Sequence, residues 1–312
     1  MKVLVTDYVH DNLIKGLEEL GLEVIYDSGF DPQTLDELVH LFTGVVINSK
    51  IKMTASRIEA AKKLKFIARL GSGLEIIDLE AAERAGVKVF NCPEANSNAV
   101  GEHAMAMLLC LCNNIIRADS EVRSKIWRRE ANRGIELEGK SLGLIGFGNT
   151  GQALARKLSG WALNLSFCDP YLLEVPNEFA NIERVSLQRL IETSEIISLH
   201  VPLTEETRGM VNQEFLENCK PSSLIINTSR GAVVNTKDLI MALKNRIISG
   251  ACLDVVENEK PHSFTTEEDQ LYGELYSFEN VVLSPHIAGW TQASLEKIAN
   301  SLLTKIRSQI KA

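Results

Sequence analysis

The stretch SLGLIGFGNTGQALARKL, Ser141–Leu158, decides how the rest of the chain is read. An apolar run of strand type leads into a glycine-rich turn, and the turn opens a helical segment. Gly146, Gly148 and Gly151 supply the pattern G-x-G-x-x-G in the context it requires. Gly146 permits the tight turn, Gly148 lets the backbone approach a pyrophosphate, and Gly151 lets helix and strand pack closely. The start of the helix adds amides and partial positive charge. Alone, such a pattern also describes a plain turn between strand and helix. Here the next apolar strand, LSFCD, ends in Asp169, about 20 residues further on, where a carboxylate can reach ribose hydroxyls. The same charge repels a 2′-phosphate, and Pro170 and Tyr171 follow with no Arg or Lys to receive one. The motif therefore predicts a dinucleotide site that takes NAD rather than NADP.

Outward from this stretch, short β-rich runs alternate with amphipathic segments. Before it stand KVLVT, a helix around Leu13–Leu20, LEVIY, a helix near Leu35–Phe42 and GVVIN. A helix around Ala55–Leu64, the run KFIARL, a helix near Leu79–Ala85 and VKVFN complete that series. One long helical pattern then runs from about Asn98 to Asp119, with Ala104, Met107, Leu108 and Leu111 at helical spacing. After the glycine turn come LSFCD, EIISLHV, SLIINTS, ISGACLDV and NVVLS, and a closing helix begins near Thr291. This alternation predicts an α/β protein whose parallel sheets carry helices on both faces. Two strand series in 312 residues predict two domains: 1–97 together with 288–312, and 98–287.

The formal net charge of −8 disfavours a general nucleic-acid binder, and no run of 18 apolar residues suggests a membrane span. The N-terminus opens directly on an apolar strand, without the pattern of a secretory signal. Six cysteines sit mostly in apolar runs with no CxxC pair, which predicts reduced core residues of a cytoplasmic protein, with no metal site.

Three further segments end apolar strands on the side where doubly wound folds place ligands: INTSRG with Arg230, CLDVVENE with Asp254 and Glu259, and LSPHIAGW with His286. Singly, each has a bland explanation as an ion pair, a solvated loop or a structural histidine. In this order after the glycine turn, they resemble the D-isomer-specific 2-hydroxyacid dehydrogenase family, in its phosphoglycerate dehydrogenase-like branch. RLGSGLEIID (Arg69–Asp78), NAVGEHAMAMLL (Asn98–Leu109), HVPLTEETRGMVN (His200–Asn212) and NTSRGAVVN (Asn227–Asn235) extend the resemblance over nearly the whole chain.

The resemblance implies two doubly wound parallel-sheet domains, a flavodoxin-like substrate domain and a Rossmann NAD-binding domain, in an NAD-dependent enzyme acting on a small 2-hydroxy or 2-oxo acid. His286 matches the family's acid/base, Glu259 the carboxylate on its other ring nitrogen, and Arg230 the guanidinium that binds the acid and polarises its carbonyl. An imidazole suits the proton transfer because its pKa lies near neutrality. The cofactor pattern maps onto Ser72, Gly146, Gly148, Asn149, Thr150, Gly151, Asp169, Val201, Thr228, Ser229 and Asp254, with Gly289 beside the ring pocket. Asp254 is expected near the nicotinamide carboxamide. Ser72 and Gly73 match the loop whose amides grip the substrate carboxylate, and the family usually forms a homodimer.

Some positions depart from the pattern. Lys260 follows Glu259, with Pro261 one step later, and the acidic stretch HSFTTEEDQLYGELYSFEN reads as an extended solvated loop. Asn48, in NSKIKMT, stands where the phosphoglycerate branch carries an arginine, although Lys50 or Lys52 could compensate. Two substrates therefore stay open, 3-phosphoglycerate and a non-phosphorylated acid of the hydroxypyruvate or glyoxylate type. An NAD-sensing scaffold of the corepressor kind is the reading from another class. Trp290 could narrow the substrate pocket or simply pack. His103 reads as structural, near a subunit contact, and His200 as lining the adenine side without chemistry. The chain stops after its closing helix, so no appended serine-sensing domain is expected.

Overall fold

The computed structural model describes residues 1–310. The chain divides into two compact units, Met1–Asn96 with the segment from Trp290 onward, and Ser97–Gly289.

The first unit is built on five parallel strands, β1 (Lys2–Val5), β2 (Glu23–Tyr26), β3 (Gly44–Ile47), β4 (Phe66–Arg69) and β5 (Lys88–Phe90). Their order across the sheet is β2-β1-β3-β4-β5, the flavodoxin-like arrangement. Val3–Val5 and Val45–Ile47 are wholly buried, as central parallel strands must be when helices cover both faces. The helix Asp11–Glu19 turns Leu13 and Leu17 inward and lies close against the closing helix, Gln292–Ile310. At Gly16 any Cβ would stand 2.5 Å from the Leu303 side chain, which would have to shift to admit it. Helix starts are capped as their sequences suggest: Thr54 accepts the amide of Arg57, and Asp78 that of Ala81.

The second unit carries seven parallel strands: β6 (Ser141–Ile145), β7 (Asn164–Cys168), β8 (Glu183–Arg184), β9 (Ile196–Leu199), β10 (Ser223–Asn227), β11 (Ile248–Leu253) and β12 (Val281–Leu283). The order β12-β11-β10-β9-β6-β7-β8 reverses direction at β6. The crevice at that switch point, outside the carboxyl ends of β6 and β9, is where open α/β sheets bind ligands. The two-residue β8 carries too little pattern to be seen in the sequence.

Two expectations need correcting. The helical pattern Asn98–Asp119 is two helices, Ser97–Cys112 and Ile115–Arg123, bent by 61° at the break. Asn114 sits there with φ 53, a left-handed conformation that Asn tolerates better than most residues. The first helix buries seven residues, among them Ala104, Met107 and Leu108, and the second buries none. Gly101 lets the first helix approach the helix Asn149–Leu158 closely, since its Cβ would stand 3.0 Å from the Ala153 backbone.

The acidic stretch read as a loop contains the helix Thr266–Tyr276. Thr265 accepts the amide of Glu268, whose side chain accepts the amide of Thr265 in return, a reciprocal capping box. Tyr272 and Leu275 supply the buried face. Charge on the outer face masked that spacing.

Among the described residues no single helix is long and apolar enough to cross a membrane. All six cysteines are free, and burial pushes the Cys219 thiol up to about 12.

Candidate active site

In the second unit, β6 runs into the glycine turn. Gly146 has φ 88, and a Cβ there would stand 2.6 Å from the carbonyl oxygen of His200. A Cβ on Gly151 would stand 2.3 Å from the Gly146 carbonyl, which excludes any side chain. Gly148 starts the helix Asn149–Leu158 without a capping side chain, and nothing lies within 4 Å of its missing Cβ. The first-turn residues Asn149, Thr150 and Gly151 thus begin an uncapped helix beside open space.

Asp169 follows β7. One carboxylate oxygen accepts the Phe147 amide at 2.8 Å, and the other accepts the amides of Tyr171 and Leu172. Across the switch point, His200 is buried and shares a 2.9 Å hydrogen bond between its Nε2 and the Ser198 hydroxyl. Burial lowers its pKa to about 4, so the ring is neutral at pH 7. Its Nδ1 has no hydrogen-bond partner among the described residues. Val201, the next residue, places a methyl 3.1 Å from the missing Cβ of Gly146.

The turn after β10 holds Thr228, Ser229 and Arg230. Asn227 shapes it, accepting the amide and hydroxyl of Ser229 and donating to the Arg230 carbonyl. The buried Thr228 hydroxyl has no partner among the described residues. Gly231 is the pivot of the turn: its Cβ would stand 1.8 Å from the Val256 carbonyl oxygen, in the loop that leads to Glu259.

Glu259 meets His286 across two loops, with Oε2 2.9 Å from Nδ1. This bond raises the imidazole pKa above its ordinary value. Burial opposes the rise, the charges of Glu259 and Asp254 add to it, and the charge of Arg230 works against it. Arg230, Glu259 and His286 therefore share one electrostatic neighbourhood. His286 itself has φ 56, an uncommon conformation for a residue with a side chain.

Asp254, 1% exposed, spends its carboxylate on the protein. Oδ1 accepts from the Ser284 hydroxyl and the Ile287 amide, and Oδ2 from the Ala288 amide. Burial alone would raise its pKa, but hydrogen bonds from His103, Ser284 and these amides outweigh it and hold the group at about 2. Gly289 follows the same turn.

The remaining site candidates lie in the first unit, at the carboxyl ends of β3 and β4. The Asn48 side chain accepts from the Arg69 guanidinium at 2.6 Å, and its backbone amide donates to Asp7. Lys50 donates to the Ser28 carbonyl, with its ammonium 3.9 Å from Asp7. Asn91 donates to the Ser72 carbonyl and fixes the loop that includes Gly73. Asn48, Tyr8 and Trp290 line one small pocket of this unit. Asp7 and Arg69 were not singled out from the sequence, although a charge closing the apolar run KFIAR was a visible signal.

The family profile described as D-isomer specific 2-hydroxyacid dehydrogenase, NAD binding domain, matches residues 105–288. The chain belongs to this family. It is 36% identical over its whole length to a D-3-phosphoglycerate dehydrogenase of Methanocaldococcus jannaschii, but spans only 57% of that protein. It is 37% identical to a hydroxypyruvate reductase of Thermotoga maritima, covering 88% of each chain. The TT0316 protein of Thermus thermophilus superposes with a TM-score of 0.87 at 30% identity, over 100% of this chain and 97% of the other.

NAD is the cofactor of this dehydrogenase family's matching domain, and the second unit fits it. A cradle that admits no side chain at Gly146 and Gly151, an uncapped helix start at Gly148 and an orphaned Thr228 hydroxyl lie along the ends of β6 and β10. Pyrophosphate oxygens suit the first two features, and a ligand acceptor or donor suits the third.

Proposed function

We propose that the chain interconverts a D-2-hydroxy acid and its 2-oxo acid with NAD, using His286 as the general acid and base. The observation that carries this reading is the 2.9 Å contact of Glu259 with His286 Nδ1, within the electrostatic reach of Arg230. Glu259 fixes the tautomer, leaving Nε2 to exchange the proton with the substrate oxygen, and favours the charged ring that gives it up. Arg230 pairs with the substrate carboxylate and polarises the adjacent carbonyl. Bound NADH supplies the hydride. Gly146, Gly148, Asn149, Thr150 and Gly151 would hold its pyrophosphate, and Asp169 its ribose. Val201, Thr228, Ser229, Asp254 and Gly289 would border the rest of the dinucleotide. The first unit is the substrate-binding domain in this reading, with Ser72 and Gly73 as its loop for a carboxylate.

The relatives divide between phosphorylated and non-phosphorylated acids, and the first unit favours the latter. Its Asn48 is neutral and held by Arg69, while Lys50 is committed to Ser28 and faces the Asp7 carboxyl group. A phosphate would meet Asp7 where the phosphoglycerate branch offers an arginine. A small acid such as hydroxypyruvate or glyoxylate is the substrate class.

The protein acts as a homodimer, its partner copy covering the apolar face formed by Ile115, Ile116, Val122 and Trp127, all at least half exposed. Six free thiols suit the reducing cytoplasm.

The test follows NADH consumption with hydroxypyruvate, glyoxylate and phosphohydroxypyruvate. His286→Ala is expected to lose about 10²–10⁴-fold in turnover. Equal rates for both proteins on every acid would end this reading. NADH binding without turnover by the wild type would instead favour a sensing scaffold.

A further inference from the structure

The helix Ser97–Cys112 carries His103 and Met107 one turn apart, and both side chains reach Ser284, at the start of the loop that holds His286. His103 Nε2 lies 2.8 Å from the Ser284 oxygen, and that hydroxyl is 2.6 Å from Asp254 Oδ1. A hydroxyl has one proton, and the carboxylate is the stronger acceptor. Ser284 therefore donates to Asp254 and receives the N–H of His103. The ring nitrogen is also 3.5 Å from the carboxylate oxygen itself.

At the other end of this chain of hydrogen bonds, Asp254 grips the turn that contains His286. Its carboxylate takes the amides of Ile287 and Ala288, and its own backbone carbonyl takes the amide of His286 at 2.7 Å. One residue thus holds a backbone at φ 56 from both sides of the imidazole. A buried carboxylate keeps its charge and orientation only if its lone pairs are met, and on Oδ1 the Ser284 hydroxyl, held in turn by His103, adds to the Ile287 amide. The ionisable groups acting on His286 are Glu259, Asp254 and Arg230, so the state of Asp254 also reaches the imidazole through space.

We propose that His103 and Ser284 are positioning residues for His286, acting through Asp254. This rests on the reading of His286 as the acid/base. The hydrogen-bonded series fixes the carboxylate that sets the His286 turn, and with it the place and proton affinity of the ring.

The experiment compares His103→Leu, Ser284→Ala, the double variant and His103→Gln with wild type and His286→Ala. Each is measured for kcat and KM with NADH and hydroxypyruvate across pH, with NADH affinity read by fluorescence. His103→Leu is expected to lose roughly 10- to 100-fold in kcat, the scale of a misplaced reacting group, with NADH affinity near wild type. The alkaline fall of its pH–rate profile should move to lower pH. His103→Gln, which restores an N–H, should recover most of the loss. The double variant should be no worse than the poorer single one, because both break the same series. A wild-type kcat and pH profile in His103→Leu, or a Gln variant as poor as Leu, would overturn the proposal. If the Leu variant fails to fold, Ser284→Ala decides by the same two readouts. Loss in His286→Ala with none in these variants rejects the positioning role alone, whereas full activity in His286→Ala rejects the underlying function.

Discussion

The carboxylate of Asp169 accepts the backbone amide of Phe147 at 2.8 Å, so the residue that ends β7 also closes the glycine turn after β6. With Tyr171 and Leu172 it satisfies three amides in all. Asp169→Ala should therefore do more than relax the choice between NAD and NADP. It should weaken NADH binding and lower folding stability by about 1–3 kcal/mol, the cost of stranding amide donors. Asp169→Asn, which keeps one acceptor oxygen, should lose less. Calorimetric melting and NADH titration check this, and a fully stable Ala variant with altered cofactor preference would contradict it.

Glu259 raises the proton affinity of His286, and in the proposed reaction reduction uses the protonated ring. The rate of 2-oxo acid reduction should fall as pH rises through that raised pKa. In Glu259→Gln the support is gone, so the fall should begin at lower pH and the rate at pH 7 should drop about 10-fold or more. A pH–rate profile superimposable on that of the wild type would refute the assignment.

His200 imposes a different pH dependence, on stability. Its pKa is 6.5 when unfolded and about 4 when buried. Between those values the unfolded chain takes up a proton that the folded chain refuses, so stability declines as pH falls through this window. Above pH 7 both states are neutral and no penalty arises. By pH 5 the loss reaches about 2 kcal/mol. Urea unfolding at pH 7 and pH 5 should show this difference, and His200→Gln should narrow it by a similar amount.

The helix Ile115–Arg123 buries no residue, and Trp127 just beyond it is 77% exposed. Ile116→Glu with Trp127→Glu should convert a dimer into monomers, read by light scattering at micromolar concentration. A monomeric wild type would reject the proposed use of this face.

Asn48 offers an amide, and the adjacent Arg69 guanidinium is spent on it and on the Leu70 carbonyl. Asn48→Arg should raise the efficiency on phosphohydroxypyruvate relative to hydroxypyruvate by roughly 10- to 100-fold, the worth of one charge-assisted hydrogen bond. A ratio that stays at its wild-type value would show that the first unit does not choose between them.

The sequence discloses those parts of the fold that depend on local pattern. Glycines at 146, 148 and 151, the carboxylate at 169 and the alternation of apolar runs sufficed for two parallel sheets. The break at Asn114 was hidden because apolar spacing continues across it, and the helix Thr266–Tyr276 because its polar face outweighs two buried residues. Arg230, Glu259 and His286 were legible as strand-end residues in a recognisable order. What surrounds them was not. Ser284 meets His103 across 181 residues of chain, and only folding reveals a hydroxyl shared in that way. Asp254 was read near the nicotinamide, but its grip on the turn that holds His286, through Ser284, Ile287 and Ala288, left no local signal.

Gly231 leaves no room for even a methyl group between the segment bearing Arg230 and the one leading to Glu259. Those segments consequently press against each other, and a side chain at position 231 would push them apart. A change that displaces either segment should therefore disturb the Arg230 guanidinium and the Glu259 carboxylate together.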